Sequence, residues 1–204
     1  MHTAILTFDG YNELDSLIAL GMLNRVPGMR VSIASPAPRV TSMNGVTIDA
    51  MIGLEEACAA DAVIVGSGSK TREVVEDPAI MAALAGLDPA RQLLAGQCSG
   101  TLVLAELGLL DEVPACTDLT TKPWVLAAGV EVLNQPFFAR GTLATAGGCL
   151  ASAYLATWVL ARLHGLEAAE RAMHYVAPVG EKDEYVERAL RNVTPYLEPA
   201  AISA

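Results

Sequence analysis

The sequence predicts a three-layer α/β sandwich in which helices cover both faces of a mostly parallel, doubly wound sheet. Short apolar segments rich in valine, isoleucine and leucine alternate with segments whose apolar residues recur at helical spacing. The loops between these segments are short, which is typical of parallel strands joined by helical crossovers. We expect the whole chain, residues 1–204, to form a single domain.

The first half of the chain alternates strands and helices. An apolar, β-prone run predicts a strand at 3–8, and apolar residues at helical spacing predict a helix at 12–24. A second strand is predicted at 30–35, and Asn44-Gly45 between two β-prone runs predicts a hairpin. The remaining predicted elements of this half are a short helix, a buried strand and a second helix, at 54–60, 62–66 and 78–87.

The second half begins with a short apolar strand at 92–96 that enters a helix at 99–107 almost without a loop. The segment 113–146 is predicted to be rich in strands, because proline and glycine divide it into short apolar pieces. Three further helices are predicted at 148–163, 167–174 and 183–191, the first of them buried. Ligands of doubly wound sheets bind beyond the carboxyl ends of the strands, so the candidate loops are 9–14, 66–70 and 96–100.

The composition excludes several classes of protein. There are 13 lysine and arginine residues against 23 aspartate and glutamate residues, without a basic run, so we expect no nucleic-acid partner. The longest charge-free stretch, 141–161, is interrupted by glycines and hydroxyl residues, so we expect no membrane span. The N-terminus enters the first strand without a basic leader, and we expect a cytoplasmic protein.

The four cysteines and three histidines do not have the spacing of a zinc site. No C-x-x-C pair occurs, so we expect neither a bound metal nor a cofactor. Cys58 and Cys149 lie in alanine-rich segments and are interpreted as core residues, while Cys116 is left undecided. In a reducing compartment each thiol is either a small apolar group or a nucleophile.

The segment LLAGQCSGTLVL at 93–104 carries the strongest chemical signal. A strand, a Gly-x-Cys-x-Gly turn and a helix together form the cysteine counterpart of a nucleophile elbow. Side chains at Gly96 and Gly100 would collide with neighbouring backbone, and Cys98 at the apex is expected to be strained and to point into the cleft. The helix starting at Ser99 is expected to lower the pKa of Cys98 and to make it the first cysteine to alkylate. The alternative is a small buried cysteine at a tight turn.

Four segments in order resemble the ThiJ/PfpI superfamily, whose fold is flavodoxin-like and similar to that of class I glutamine amidotransferases. They are FDGYNELD at 8–15, VIVGSG at 63–68, GQCSG with the apolar helix after it at 96–110, and LATAGG at 143–148. Within the superfamily the sequence looks most like the isonitrile hydratase branch. The resemblance also implies a homodimer, with the first helix close to the interface, and the 52% hydrophobic content favours a large buried interface.

The resemblance implies roles for individual residues. Asp15 falls on the acidic position whose carboxyl contacts the nucleophilic sulfur, here that of Cys98, and can pass it a proton. The backbone N–H groups of Gly68 and Ser99 would form an oxyanion hole. Ser67 replaces the first glycine of that turn. An ordinary solvent-facing aspartate near a helix N-terminus is the alternative interpretation of Asp15.

The sequence departs from the superfamily at Lys122, where many members have a histidine that pairs with the cysteine. Lys122 is a candidate substrate-binding residue, with a solvated lysine as the alternative. His2, His164 and His174 lie on other predicted elements, and no catalytic role is assigned to them. Proteolysis or amide transfer, which need an imidazole base beside the thiol, are therefore disfavoured.

The favoured function is hydration of a small isonitrile to an N-substituted formamide, with Cys98 as nucleophile and Asp15 as proton donor. This chemistry needs a thiol, a carboxylic acid and an oxyanion hole but no histidine. The alternatives are glyoxalase-like handling of a carbonyl compound, sensing of oxidants through Cys98, and a binding module without catalysis.

Overall fold

The computed structural model describes residues 1–197; residues 198–204 of the predicted domain lie outside the described range. The strands are β1 (His2–Leu6), β2 (Arg30–Ala34), β3 (Arg39–Thr41), β4 (Thr47–Asp49), β5 (Ala62–Val65), β6 (Leu93–Gln97), β7 (Phe137–Arg140) and β8 (Leu143–Ala146). The helices are α1 (Glu13–Leu23), α2 (Leu54–Ala57), α3 (Thr71–Glu76), α4 (Pro78–Leu84), α5 (Gly100–Glu106), α6 (Lys122–Ala127), α7 (Ser152–His164), α8 (Leu166–Val176) and α9 (Lys182–Val193).

The central sheet has six strands in the order β2-β1-β5-β6-β8-β7. All neighbouring pairs are parallel except β7 and β8, so the strand direction reverses only at one edge. The order in which successive strands are added across the sheet reverses at β1, because β2 lies on one side of β1 and β5 lies on the other. This arrangement confirms the predicted doubly wound α/β fold.

The two faces of the sheet are covered by different helices. On one face α1, α7, α8 and α9 pack in a cluster around Trp158, whose side chain is fully buried. On the other face α2 to α6 pack over the inward-facing residues of β1, β5 and β6, such as Leu6, Val63 and Leu94. The strands therefore carry apolar side chains on both faces, which is the pattern of a sheet covered on both sides.

The prediction that 113–146 is rich in strands is wrong in its first part. Residues 122–127 form α6, and only β7 and β8 lie in the remainder of the segment. The sequence marks Pro123 as a break, but a proline in the first turn lacks only an N–H that the helix does not use there. The six-residue helix α3 has no counterpart among the predicted elements, because so short an element shows no helical periodicity.

The predicted hairpin is present as the antiparallel pair β3 and β4. Its turn approaches the start of α1, where the Met43 N–H donates to the Tyr11 carbonyl at 2.9 Å. The charge-free segment at 141–161 folds into β8, one turn of 3₁₀ helix (Cys149–Ala151) and most of α7. None of the helices within residues 1–197 is long and apolar enough to cross a membrane.

Candidate active site

The carboxyl ends of β1, β5, β6 and β8 meet at a cavity of about 310 Å³. All three loops predicted to carry the site contribute to it, at Asn12, Ser67 and Cys98. The complete wall consists of Asn12, Asp15, Met43, Ser67, Gly68, Ser69, Cys98, Ser99, Asp118, Thr120, Thr121, Trp124 and Cys149. The volume suits a small molecule, because drug-sized ligands occupy pockets of about 300–1,000 Å³.

The elbow at the end of β6 has the predicted strained geometry. Cys98 has φ of 48°, a left-handed conformation that non-glycine residues rarely adopt. A Cβ atom at Gly100 would lie 2.2 Å from the Val65 carbonyl oxygen, and one at Gly96 would lie 2.9 Å from the Cα atom of Thr101. Both glycines are therefore required, and strain of this kind at a cavity favours a functional cysteine over a merely structural one.

Asp15 lies in the first turn of α1 and is fully buried, not solvent-facing. The Ser67 hydroxyl donates a hydrogen bond to its Oδ2, while its Oδ1 has no hydrogen-bond partner among residues 1–197. A carboxylate oxygen of Asp15 and the sulfurs of Cys98 and Cys149 all lie within 4.8 Å of one another. The structure thus brings together the carboxyl and the thiol that the sequence resemblance pairs.

The expected lowering of the Cys98 pKa is wrong. Burial of the sulfur raises the pKa of Cys98 above its usual value, and the nearby Asp15 carboxylate raises it further. A helix N-terminus contributes about 0.3–1 kcal/mol, which is less than one pKa unit, so α5 cannot offset these two effects. At neutral pH Cys98 is therefore a thiol, and the Asp15 carboxyl lies beside it.

The predicted oxyanion hole is only partly available. The Gly68 N–H donates to the Ser99 hydroxyl oxygen at 3.0 Å, and that hydroxyl also contacts Thr71 Oγ1 at 2.7 Å. The Ser99 N–H, immediately before α5, donates to no acceptor within the described part of the chain. Of the two predicted donors, Ser99 is therefore free to meet a developing negative charge.

A sequence model of the DJ-1/PfpI family matches residues 1–162 of this chain. The chain belongs to the DJ-1/PfpI family. The matched range includes every residue of the cavity wall, from Asn12 to Cys149. No curated protein matches the chain at a significant level.

Solved structures of DJ-1/PfpI proteins share the fold. A THiJ/PfpI family protein from Pseudomonas syringae has a TM-score of 0.78 and 19% identity, over 95% of this chain and 87% of that one. Drosophila melanogaster DJ-1beta has a TM-score of 0.74 and 19% identity, over 86% and 96% of the two chains. Oxidized Toxoplasma gondii DJ-1 has a TM-score of 0.74 and 17% identity, over 86% and 97%. At these identities the similarity establishes the fold.

In this member of the DJ-1/PfpI family, the structure does not bring Lys122 into the cavity. Lys122 begins α6 and is absent from the wall, while Thr121 and Trp124 on either side of it contribute. No histidine of the described residues lines the cavity either. His2 contacts the Ser32 hydroxyl at 3.0 Å, and His174 is exposed on α8.

Sequence reasoning misses several polar residues of the cavity wall, among them Cys149 and Asp118. Cys149 is not the core residue that its alanine-rich segment suggests, since it is half-buried and accepts a hydrogen bond from the Asn12 amide at 3.2 Å. Asp118 accepts the N–H groups of Thr120 and Thr121 at 2.9 Å and fixes that loop beside the cavity. The available signal for Cys149 is its position directly after two glycines, beyond the carboxyl end of a central strand.

The cluster of one carboxylate and two thiols does not match a structural zinc site. Such sites have four protein ligands, and the described residues bring only Asp15, Cys98 and Cys149 within 4.8 Å. The cluster is better suited to proton transfer between oxygen and sulfur. The Gln97 amide donates to the Cys98 sulfur at 3.3 Å and can stabilise negative charge there.

Alkylation of Cys98 by iodoacetamide is expected to be slow at neutral pH, contrary to the expectation from sequence. Because its pKa is raised, the thiolate fraction and the rate should increase about tenfold per pH unit through the range above pH 8.5. The half-buried Cys149 should react first at pH 7. Peptide mapping at several pH values measures both rates, and preferential labelling of Cys98 at pH 7 would contradict this prediction.

Proposed function

We propose that this protein hydrates a small isonitrile to an N-substituted formamide. The observation that supports this most directly is the buried Asp15 carboxyl, with one unpartnered oxygen, beside Cys98 in a cavity whose described wall has no histidine. Isonitrile hydration needs a nucleophile and one group that moves protons, and this pair supplies both. Met43 and Trp124 give the wall apolar area that suits the carbon substituent of such a substrate.

The first step joins the Cys98 sulfur to the terminal carbon of the isonitrile. Asp15 accepts the thiol proton as the sulfur attacks and returns it to the same carbon, which leaves a thioimidate. The negative charge that develops during the attack is met by the free Ser99 N–H. The Ser67 hydroxyl holds the Asp15 carboxyl in place through its Oδ2, so Oδ1 remains available for the proton.

The second step adds water to the thioimidate carbon. Asp15 takes a proton from the water and passes it to the nitrogen, the hydroxyl oxygen bonds to the carbon, and a tetrahedral adduct forms. The adduct collapses to the formamide as its carbon–sulfur bond breaks, and the hydroxyl proton returns through Asp15 to the sulfur. One water is consumed and Cys98 is restored as a thiol, so the cycle is balanced without another reactant.

The proposal is tested by incubating the purified protein with an aliphatic isonitrile, methylglyoxal or a peptide amide in separate reactions. Formation of the N-formyl product, with loss of turnover in Cys98→Ser, is the expected result. The Cys58→Ser variant is the matched control, because Cys58 donates to the Ala83 carbonyl away from the cavity. Turnover of methylglyoxal alone would overturn the proposal in favour of a carbonyl-handling enzyme.

We propose that the protein acts as a homodimer whose interface borders the cavity. Leu14 and Met43 are 53% exposed and Leu150 is 74% exposed, and all three flank Asn12 or its partner Cys149. Light scattering at micromolar concentration should give twice the chain mass of 21.3 kDa. Leu150→Arg should shift the mass toward that of the monomer, and a monomer in the wild type would contradict the proposal.

A further inference from the structure

The proposed hydration mechanism gives no role to one reactive group of the cavity, the Cys149 thiol. Cys149 is half-buried in the wall, its sulfur lies within 4.8 Å of both the Cys98 sulfur and an Asp15 oxygen, and it accepts a hydrogen bond from the Asn12 amide. A core cysteine would have no exposed area, as Cys116 has none. Cys149 is instead placed where it can react with the sulfur of the nucleophile.

Cys149 lies in a short turn between β8 and α7. Sulfurs in a disulfide are about 2.05 Å apart, so Cys149 and Cys98 must move together from their present separation. Cys149 starts a single 3₁₀ turn after Gly148, and its side chain accepts a hydrogen bond from the Asn12 amide.

The other two cysteines are placed differently. Cys58 follows α2, its sulfur donates to the Ala83 carbonyl, and it belongs to the apolar cluster under α2 and α4. Cys116 is fully buried and does not line the cavity. Among the four thiols, therefore, only that of Cys149 shares the cavity with Cys98.

We propose that Cys149 is a resolving thiol, which captures oxidised Cys98 as a reversible Cys98–Cys149 disulfide. The oxidant is a hydroperoxide small enough to enter the cavity. The disulfide removes the nucleophile, so peroxide switches the activity off and a thiol reductant restores it. This regulatory consequence rests on the proposed function, whereas disulfide formation does not. Capture also prevents further oxidation of Cys98 to the irreversible sulfinic acid.

The chemistry is balanced in two steps. The Cys98 sulfur attacks the outer oxygen of the hydroperoxide, the O–O bond breaks, and the sulfur loses two electrons to become sulfenic acid while the peroxide is reduced to an alcohol or water. Asp15 accepts the thiol proton and gives it to the departing oxygen. The Cys149 sulfur then attacks the Cys98 sulfur, the S–O bond breaks, and the hydroxyl leaves as water with the Cys149 proton.

The test treats the protein with equimolar hydrogen peroxide, blocks free thiols with iodoacetamide, and maps peptides without reduction. The expected product is a Cys98–Cys149 linked peptide pair, with the chain lighter by two hydrogen atoms, and dithiothreitol should restore the original mass. Cys149→Ser should instead gain one oxygen at Cys98, and with excess peroxide a second oxygen that dithiothreitol does not remove, because the sulfinic acid is irreversible. Cys58→Ser, the matched control, should behave as the wild type.

Two results would overturn the inference. One is oxygen addition at Cys98 in the wild type without a linked peptide pair, and the other is a disulfide to a different cysteine or to a second chain. The mass measurement requires no turnover, so it decides the inference even if the protein fails to hydrate isonitriles. Where isonitrile turnover is present, excess peroxide should abolish it, and dithiothreitol should restore it in the wild type but not in Cys149→Ser.

Discussion

Asp15→Asn is expected to lower kcat for isonitrile hydration by about two to four orders of magnitude, the usual contribution of a positioned acid–base group. Asparagine has nearly the same shape and can still bond to Ser67, but it cannot accept and return the Cys98 proton. Substrate binding should change little, because the apolar part of the wall is unaltered. Steady-state kinetics that separate kcat from KM measure this effect.

The same substitution should make Cys98 easier to alkylate. The Asp15 carboxylate is one of the causes that raise the Cys98 pKa, so its removal lowers that pKa toward the value set by burial alone. Iodoacetamide should therefore label Cys98 faster at pH 8 in the variant than in the wild type. This combination of faster alkylation and slower turnover separates a proton-transfer role from mere structural damage.

Glu13→Gln is the matched control for Asp15→Asn. Glu13 also lies in the first turn of α1, but its carboxylate binds the Ser42 hydroxyl and the Asn44 amide and does not line the cavity. Turnover by the Glu13→Gln variant should stay within about a factor of two of the wild-type value, because Glu13 takes no part in the proposed proton transfer. If the two variants had equal turnover, Asp15 would not be the acid–base group.

Gly100→Ala is expected to destabilise the fold by about 3 kcal/mol, the upper end of the usual cost of overpacking. The added Cβ would lie 2.2 Å from the Val65 carbonyl oxygen and 2.8 Å from that of Gly66. These are backbone atoms that no side-chain rotation can move, so the elbow must shift away from β5. Urea unfolding measures the loss, and turnover should fall with it because Cys98 moves.

Gly21→Ala is a control for which we expect the opposite change in the free energy of unfolding. Gly21 lies within α1, a Cβ atom added to it would meet no other atom within 4 Å, and its backbone angle is not left-handed. Alanine there should stabilise the protein by about 0.5–1 kcal/mol, because glycine lowers helix stability by that amount. Equal stabilities for the two alanine variants would show that the contact between the elbow and β5 is not tight.

The strands and the elbow can be predicted because their signals are local. Buried parallel strands are continuous apolar runs, and the Gly-x-Cys-x-Gly turn between β6 and α5 is defined by five consecutive residues. The hairpin at Asn44-Gly45 is predictable for the same reason, since two residues determine the turn. The position of Asp15 near Cys98 follows from the family resemblance and not from spacing.

The chemistry of the cavity is not local and cannot be predicted in full. The raised pKa of Cys98 depends on burial and on a carboxylate more than 80 positions away in the chain. Asp118 has no distinctive neighbours in sequence, and both Cys149 and Asp118 join the site only when β8 and the loop before α6 are in place. The engagement of the Gly68 N–H by Ser99 likewise depends on a contact between two separate loops.

The cavity draws on residues from Asn12 to Cys149, and the strands that position them pair in an order unlike their order in the chain. Contacts of such high sequence separation form slowly, since long loops must close before they are stabilised. During synthesis Cys98 leaves the ribosome well before β8, the strand that pairs with β6, has been made. The complete cavity therefore cannot form before residue 149 has been synthesised and β8 has paired with β6.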